Sequence, residues 1–169
     1  MHRPLAELML IRDYASIDAQ ATLDVFRRAI LVTASRDYSP EQIAVWAPAD
    51  MNVTVWAAKR ASAATIVATL DARIVGFTDV DEQGYIDMLF VDPEVARRGV
   101  ATALMTWAVD RARHCGIRQL TSHVSVTARP FFEKKGFVIV EERHPVRAGV
   151  VLTNFLMRRS LVDSETTAT

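Results

Sequence analysis

Arg97, Arg98 and Gly99 stand directly before Val100, Ala101 and Thr102, where "VDPEVARRGVATALM" passes from an apolar run through a proline turn into an amphipathic pattern. A helix start exposes backbone N–H groups that lack intrahelical partners and carries a partial positive charge. A glycine just ahead of it lets an anion approach the backbone, and two arginines add charge-assisted bonds. Small residues at Ala101 and Thr102 keep the first turn clear. A pyrophosphate fits such a loop, and an ordinary strand-to-helix turn with a solvated arginine pair fits the same residues equally well. Asp87 is the second conspicuous residue, because a carboxylate inside the apolar run "YIDMLFV" costs free energy unless it is solvated or paired. In a cleft it could take a proton from an amine; on a surface it would face a lysine or arginine. His123, at the end of "RQLTSHV", is a reserve acid or base, although a histidine with no visible partner is more often structural.

Positioning these residues requires a sheet. "LMLIRDY" reads as a first strand, and Leu23, Phe26 and Ile30 form one apolar stripe on a helix from about Asp18. Ser39, Pro40 and Gln42 give the cap, first-turn proline and capping-box partner of a second helix that Pro48 ends, and a third short helix follows from Asp50. From Ala63 the runs become β-branched: "ATIVATL", "RIVGFTDV" and "YIDMLFV" read as three consecutive antiparallel strands joined by "DA" and "DEQG" turns. Along the third, Tyr85, Asp87, Leu89 and Val91 would share one face and Ile86, Met88 and Phe90 the other. Ala101, Leu104, Met105, Ala108 and Ala112 line a helix that Gly116 closes; "RQLTSHV" is a strand, "ARPFFEKKG" a short helix, and "FVIVEER" with "VVLTNFLMR" a closing hairpin around "RAG".

Composition removes other classes. Lysine plus arginine total 20 and aspartate plus glutamate total 20, so no net field draws the chain to nucleic acid or an anionic membrane. The single cysteine, Cys115, allows no internal disulfide, and no Cys/His spacing suggests a metal site. No run approaches a membrane span and "MHRPLAELML" lacks a signal-peptide pattern, so a soluble, cytoplasmic protein is expected. No glycine loop follows "LMLIRDY", which sets aside a dinucleotide-binding fold.

"YIDMLFVDPEVARRGVATALM", with "ARPFFEKKGF", resembles the acetyl-coenzyme A binding core of GNAT-type N-acetyltransferases, and the likeness runs from about Leu8 to Met157. The family signature of Gln or Arg, two residues, Gly, one residue, then Gly or Ala falls on Ala96, Gly99 and Ala101, with Ala96 departing from it. The resemblance implies a single mixed α/β domain over residues 1–160; the small, polar "SETTAT" at the end predicts a disordered tail at 161–169. Its central sheet is mostly antiparallel, splayed between the fourth and fifth strands and flanked by helices. It implies acetyl-CoA as co-substrate without a metal, held by the backbone edge of Leu89, Phe90 and Val91, by Arg97, Arg98, Gly99, Val100, Ala101 and Thr102, and by Ser125 and Phe132. Phe132 stands where many relatives carry a tyrosine that protonates the leaving thiolate. Asp87 becomes the first choice of catalytic base with His123 in reserve, and Tyr38, Trp46 and Tyr85 fall on the acceptor side, where core and capping roles suit the first and second as well. The expected partner is a small-molecule or peptide amine, and a homodimer is compatible. A non-catalytic acyl-CoA sensor is the alternative: the missing tyrosine favours it and the retained Asp87 opposes it.

Overall fold

The computed structural model describes residues 8–162, so most of the expected tail lies outside the described residues. β1 (Met9–Asp13) pairs antiparallel with β2 (Ile66–Leu70), and β2 with β3 (Arg73–Thr78). Three helices fill the connection between β1 and β2. α1 (Ala19–Arg28) runs on into a π turn at Ala29–Thr33, and its Leu23–Phe26–Ile30 stripe is buried. α2 (Pro40–Trp46) starts on the expected capping box: Ser39 Oγ accepts from the Gln42 N–H at 3.2 Å, and Gln42 Oε1 accepts from the Ser39 N–H at 2.8 Å. α3 (Val53–Ser62) begins three residues later than Asp50, because Asn52 Oδ1 accepts from the N–H groups of Thr54 and Val55 and caps it there. Phe26 and Phe77 both pack on Trp56, at ring separations of 5.0 and 5.8 Å, which fixes α1 and α3 against one face of the strands.

The run "YIDMLFV" is not one strand. It divides into β4 (Tyr85–Ile86) and β5 (Leu89–Val91), which belong to different sheets. β5 continues the first sheet in the order β1-β2-β3-β5, whereas β4 opens a second. The expected alternation therefore fails at Asp87 and Met88, because a strand that changes partners breaks its pleat. The remaining elements are α4 (Val100–His114), β6 (Gln119–Ser125), α5 (Arg129–Lys134), β7 (Val138–Arg143), β8 (Val146–Arg147), β9 (Val150–Val151) and β10 (Asn154–Ser160). The second sheet has the order β4-β6-β10-β7. The closing hairpin is likewise divided: β7 pairs with β10, while β8 and β9 form a separate ribbon around Ala148 and Gly149.

β4 runs parallel to β6, with Tyr85 opposite Thr121 and Ile86 opposite Ser122. Two residues later the chain pairs with β3 instead, so the sheets part like a wedge, as the family likeness implies for the fourth and fifth strands. α4 closes one side of that wedge. Its Val100 and Leu104 pack with Ile66, Ala68 and Val75 of the first sheet, and its Met105 and Ala108 with Leu120 and Val124 of the second. Both faces of β2 are buried, which suits a strand whose residues are apolar except for Thr69. Among the described residues, no helix is long and apolar enough to cross a membrane.

Candidate active site

Asp87 and Met88, the residues at the break, belong to neither sheet. Their N–H groups and the Met88 carbonyl nevertheless find partners. Both N–H groups donate to Asp79 Oδ1, at 2.9 and 3.2 Å, and the Met88 carbonyl accepts from Thr78 Oγ1 at 2.7 Å and the Asp79 N–H at 3.3 Å. Asp79 Oδ2 accepts from Arg60 Nη1 at 3.0 Å, and the guanidinium lies 5.0 Å above the Trp56 ring centroid. Arg60 and Asp79 are each 2% exposed. Burial pushes the Asp79 carboxyl up from its ordinary range, opposed by the N–H groups of Met88 and Asp87 and by the Arg60 charge.

The same contacts decide which way β5 faces. In an antiparallel ladder, alternate residues turn their N–H and C=O groups toward the partner strand. The bonds from Asp79 N to the Met88 carbonyl and from Asp92 N to the Val75 carbonyl put Met88, Phe90 and Asp92 in the set facing β3. Leu89 and Val91 thus direct their backbone groups into the wedge. Its narrow end is closed by Ser122, whose hydroxyl donates to the Ile86 carbonyl at 2.8 Å.

Two cavities meet here. One, of about 250 Å³, is the wedge itself, running from Leu89 and Val91 past Thr127 and Phe131 to Ala101 at the start of α4. The other, of about 390 Å³, is walled by Phe26, Tyr38, Tyr85 and Asn154, with Val146 and Arg147 of the ribbon. Trp46, Asp87, Phe90, His123 and Ser125 line both. A group at this junction reaches one molecule in each cavity.

The titratable groups at the junction are coupled. The Asp87 side chain is 55% exposed, and its Oδ2 lies 3.8 Å from Arg60 Nη2. Tyr85 Oη and His123 Nδ1 share a 3.0 Å hydrogen bond. Burial raises the Tyr85 phenol, helped by the charges of Asp87, Asp79 and Asp81, whereas burial and then the Arg143 charge lower the His123 imidazole against the pull of Asp87 and Glu141.

The loop before α4 has the form an anion requires. Gly99 takes a left-handed φ of 82°, and no heavy atom lies within 4 Å of where a Cβ would stand. The first helical bond counted from Gly99 is Ala103 N to the Gly99 carbonyl at 2.9 Å, so the N–H groups of Val100, Ala101 and Thr102 lie outside the helical ladder. Arg97 also has a left-handed φ, 64°. Ser125 Oγ accepts from the Ala128 N–H at 3.0 Å, which leaves its O–H to donate. Phe132 is buried beside Phe131 and Phe137. The Thr127 hydroxyl lines the wedge and is buried without a hydrogen-bond partner. An open strand edge, an unobstructed helix start and an orphaned hydroxyl together fit an extended arm ending in phosphates.

On the acceptor side, Tyr38, Trp46 and Tyr85 all line the larger cavity. The Tyr38 hydroxyl is already engaged, donating to the Thr153 carbonyl at 2.6 Å and accepting from the Val126 N–H at 2.9 Å, and Trp46 packs edge-on against its ring. Four residues at the site were missed in the sequence: Asp79, Arg60, Thr127 and Asn154, whose Oδ1 is buried without a partner beside the larger cavity. Asp79 was open to the same reasoning as Asp87, being an acid at the end of the β-branched run "RIVGFTDV".

Residues 34–159 match the family model described as an acetyltransferase (GNAT) domain. The chain is 43% identical, over 148 residues covering 88% of it and 93% of the relative, to the uncharacterized N-acetyltransferase YafP of Escherichia coli strain K12. Its fold superposes at a TM-score of 0.87, with 31% identity over 94% of this chain and 99% of the other, on a GCN5-related N-acetyltransferase (aminotransferase, class-II) from Rhodopseudomonas palustris. At 18% identity, over 90% of this chain and 99% of the other, it shares the fold of the PaiA N-acetyltransferase from Thermoplasma acidophilum in complex with coenzyme A, at a TM-score of 0.74. The split strand, the wedge and these matches agree: the chain belongs to the GNAT family of N-acetyltransferases.

Proposed function

We propose that the chain transfers the acetyl group of acetyl-CoA to a primary amine of a small molecule or peptide, by direct attack, with Asp87 as general base. The observation that carries this reading is the position of Asp87 on both cavities, where one carboxylate reaches an amine in the larger and a thioester in the wedge. Acetyl-CoA supplies a thioester carbonyl that a neutral amine attacks without prior activation of the enzyme. The backbone groups of Leu89 and Val91 hold its pantetheine arm as an added strand would be held, and an N–H of this edge polarises the carbonyl. Gly99 and the N–H groups of Val100, Ala101 and Thr102 receive the pyrophosphate, with Arg97 and Arg98 supplying charge. Ser125 and Thr127 offer hydroxyls along the wedge, and Phe132 packs beneath it. Asp87 takes the ammonium proton directly or through one water, with His123 as the reserve group; the tetrahedral adduct then collapses, the C–S bond breaks, and the CoA thiolate leaves and takes its proton from solvent.

The test is a panel of primary amines with acetyl-CoA, following release of free thiol, alongside melting with acetyl-CoA alone. Saturation at about 100 times the dissociation constant stabilises a fold by roughly 2.7 kcal/mol, a rise of several degrees. Thiol release that depends on the amine supports the reading. Neither melting shift nor thiol release at millimolar acetyl-CoA overturns it.

A further inference from the structure

Arg60 and Asp79 lie beneath the junction, touch neither cavity wall that Asp87 shares, and are more deeply buried than any other ion pair among the described residues. Burying a guanidinium and a carboxylate costs free energy that a pair of apolar side chains would not, so stability alone does not account for them. Their contacts point elsewhere. One Asp79 oxygen gathers the two N–H groups that the strand break leaves without a sheet partner, and the other holds Arg60. Arg60 Nη2 then stands 3.8 Å from Asp87 Oδ2, beyond hydrogen-bond distance, while its Nε has no hydrogen-bond partner.

We propose that the Arg60–Asp79 pair is a positioning unit: Asp79 fixes the break that opens the wedge and, by occupying Arg60, keeps that guanidinium from closing on the Asp87 carboxylate. A general base clasped by a guanidinium is weakened, because the positive charge stabilises its ionised form. An unpaired buried guanidinium would move the short remaining distance to the nearest carboxylate, which is Asp87. The charged and titratable groups that face Asp87 are Arg60 on α3, Asp79 after β3, Tyr85 on β4 and His123 on β6, with Arg147 of the ribbon lining the same cavity. Two pairs among these hold each other: Tyr85 with His123 by a hydrogen bond, and Arg60 with Asp79 by opposite charges.

The inference rests on Asp87 as base, and three variants separate the two ideas. Asp79→Asn keeps an oxygen for the Asp87 and Met88 N–H groups but releases Arg60. Its kcat/KM should fall several-fold, up to about tenfold, at pH 7, with the acid limb of the pH profile moved lower by about one pH unit, while KM for acetyl-CoA stays within a few fold. The double variant Arg60→Leu with Asp79→Asn removes both charges and should return the limb to the parent position or above it. Hydrogen exchange at the Asp87 and Met88 amides should remain slow in Asp79→Asn and become fast in Asp79→Ala, whatever group acts as base. A limb that stays in place in Asp79→Asn, with only a lower melting temperature, would make the pair merely structural and overturn the proposal. If the limb persists in Asp87→Asn, the base assignment fails by itself, and slow exchange in Asp79→Ala then decides against the positioning role.

Discussion

Asp87→Asn separates chemistry from folding more cleanly than any other substitution in this site. The change keeps the size of the side chain and removes its charge and basic lone pair. The side chain is 55% exposed and its contact with Arg60 is 3.8 Å long, so losing that pair costs at most about 1 kcal/mol. Arg60 keeps its bond to Asp79, and the Asp87 backbone N–H keeps its bond to the same carboxylate, so the break and the open edge at Leu89 and Val91 are retained. Loss of a general base, by contrast, costs roughly 100- to 10,000-fold in turnover, or about 3–5 kcal/mol in the barrier. The assay is initial-rate thiol release across about pH 6 to 10, where a general base titrates against the amine, with acetyl-CoA affinity and melting temperature measured on the same preparation. Turnover should collapse while affinity and melting hardly change, and the residual rate should follow the fraction of unprotonated amine. An Asp87→Asn protein that turns over within a few fold of the parent would remove Asp87 from the mechanism and leave His123 as the next candidate.

The Cβ of Gly99→Val meets no heavy atom within 4 Å, so its main folding cost is the strain of a left-handed φ in a branched residue, about 1–2 kcal/mol. Acetyl-CoA affinity should fall at least about tenfold, and a melting loss with unchanged affinity would make this glycine purely structural. His123→Gln should reduce turnover less than Asp87→Asn; a larger loss, with the acid limb abolished, would exchange their roles. Burial raises the Asp92 carboxyl, but the bonds from Arg28 and the Glu94 N–H and the charges of Arg28 and Arg73 outweigh it and hold it below the ordinary range. The unfolded chain therefore binds this proton more tightly than the folded one, so the stabilisation is complete above about pH 4 and is lost as pH falls further. Melting temperatures from about pH 6 to 3 should drop less steeply in Asp92→Asn than in the parent; parallel curves would show that Asp92 contributes nothing to acid sensitivity.

What the sequence determined by itself is what depends on neighbours along the chain. The Ser39–Gln42 box, the helix start behind Gly99, the stripe on α1 and the antiparallel β2–β3 pair all rest on contacts within a few residues, or on periodicity that burial enforces. The family likeness, carried by stretches as local as "ARRGVA", added the wedge between the sheets. Tertiary structure alone decided where "YIDMLFV" breaks, since an apolar run does not reveal which neighbour will take each N–H. The partner is Asp79, held by Arg60 from a helix 19 residues earlier, and no periodicity links those positions. The Tyr38 hydroxyl is another case: its partners at Val126 and Thr153 lie 88 and 115 residues away, so only the folded chain shows that it stitches loops together. Polar groups in a strand break must find partners wherever the fold brings them, and those partners are set by chain crossings that no short stretch of sequence records.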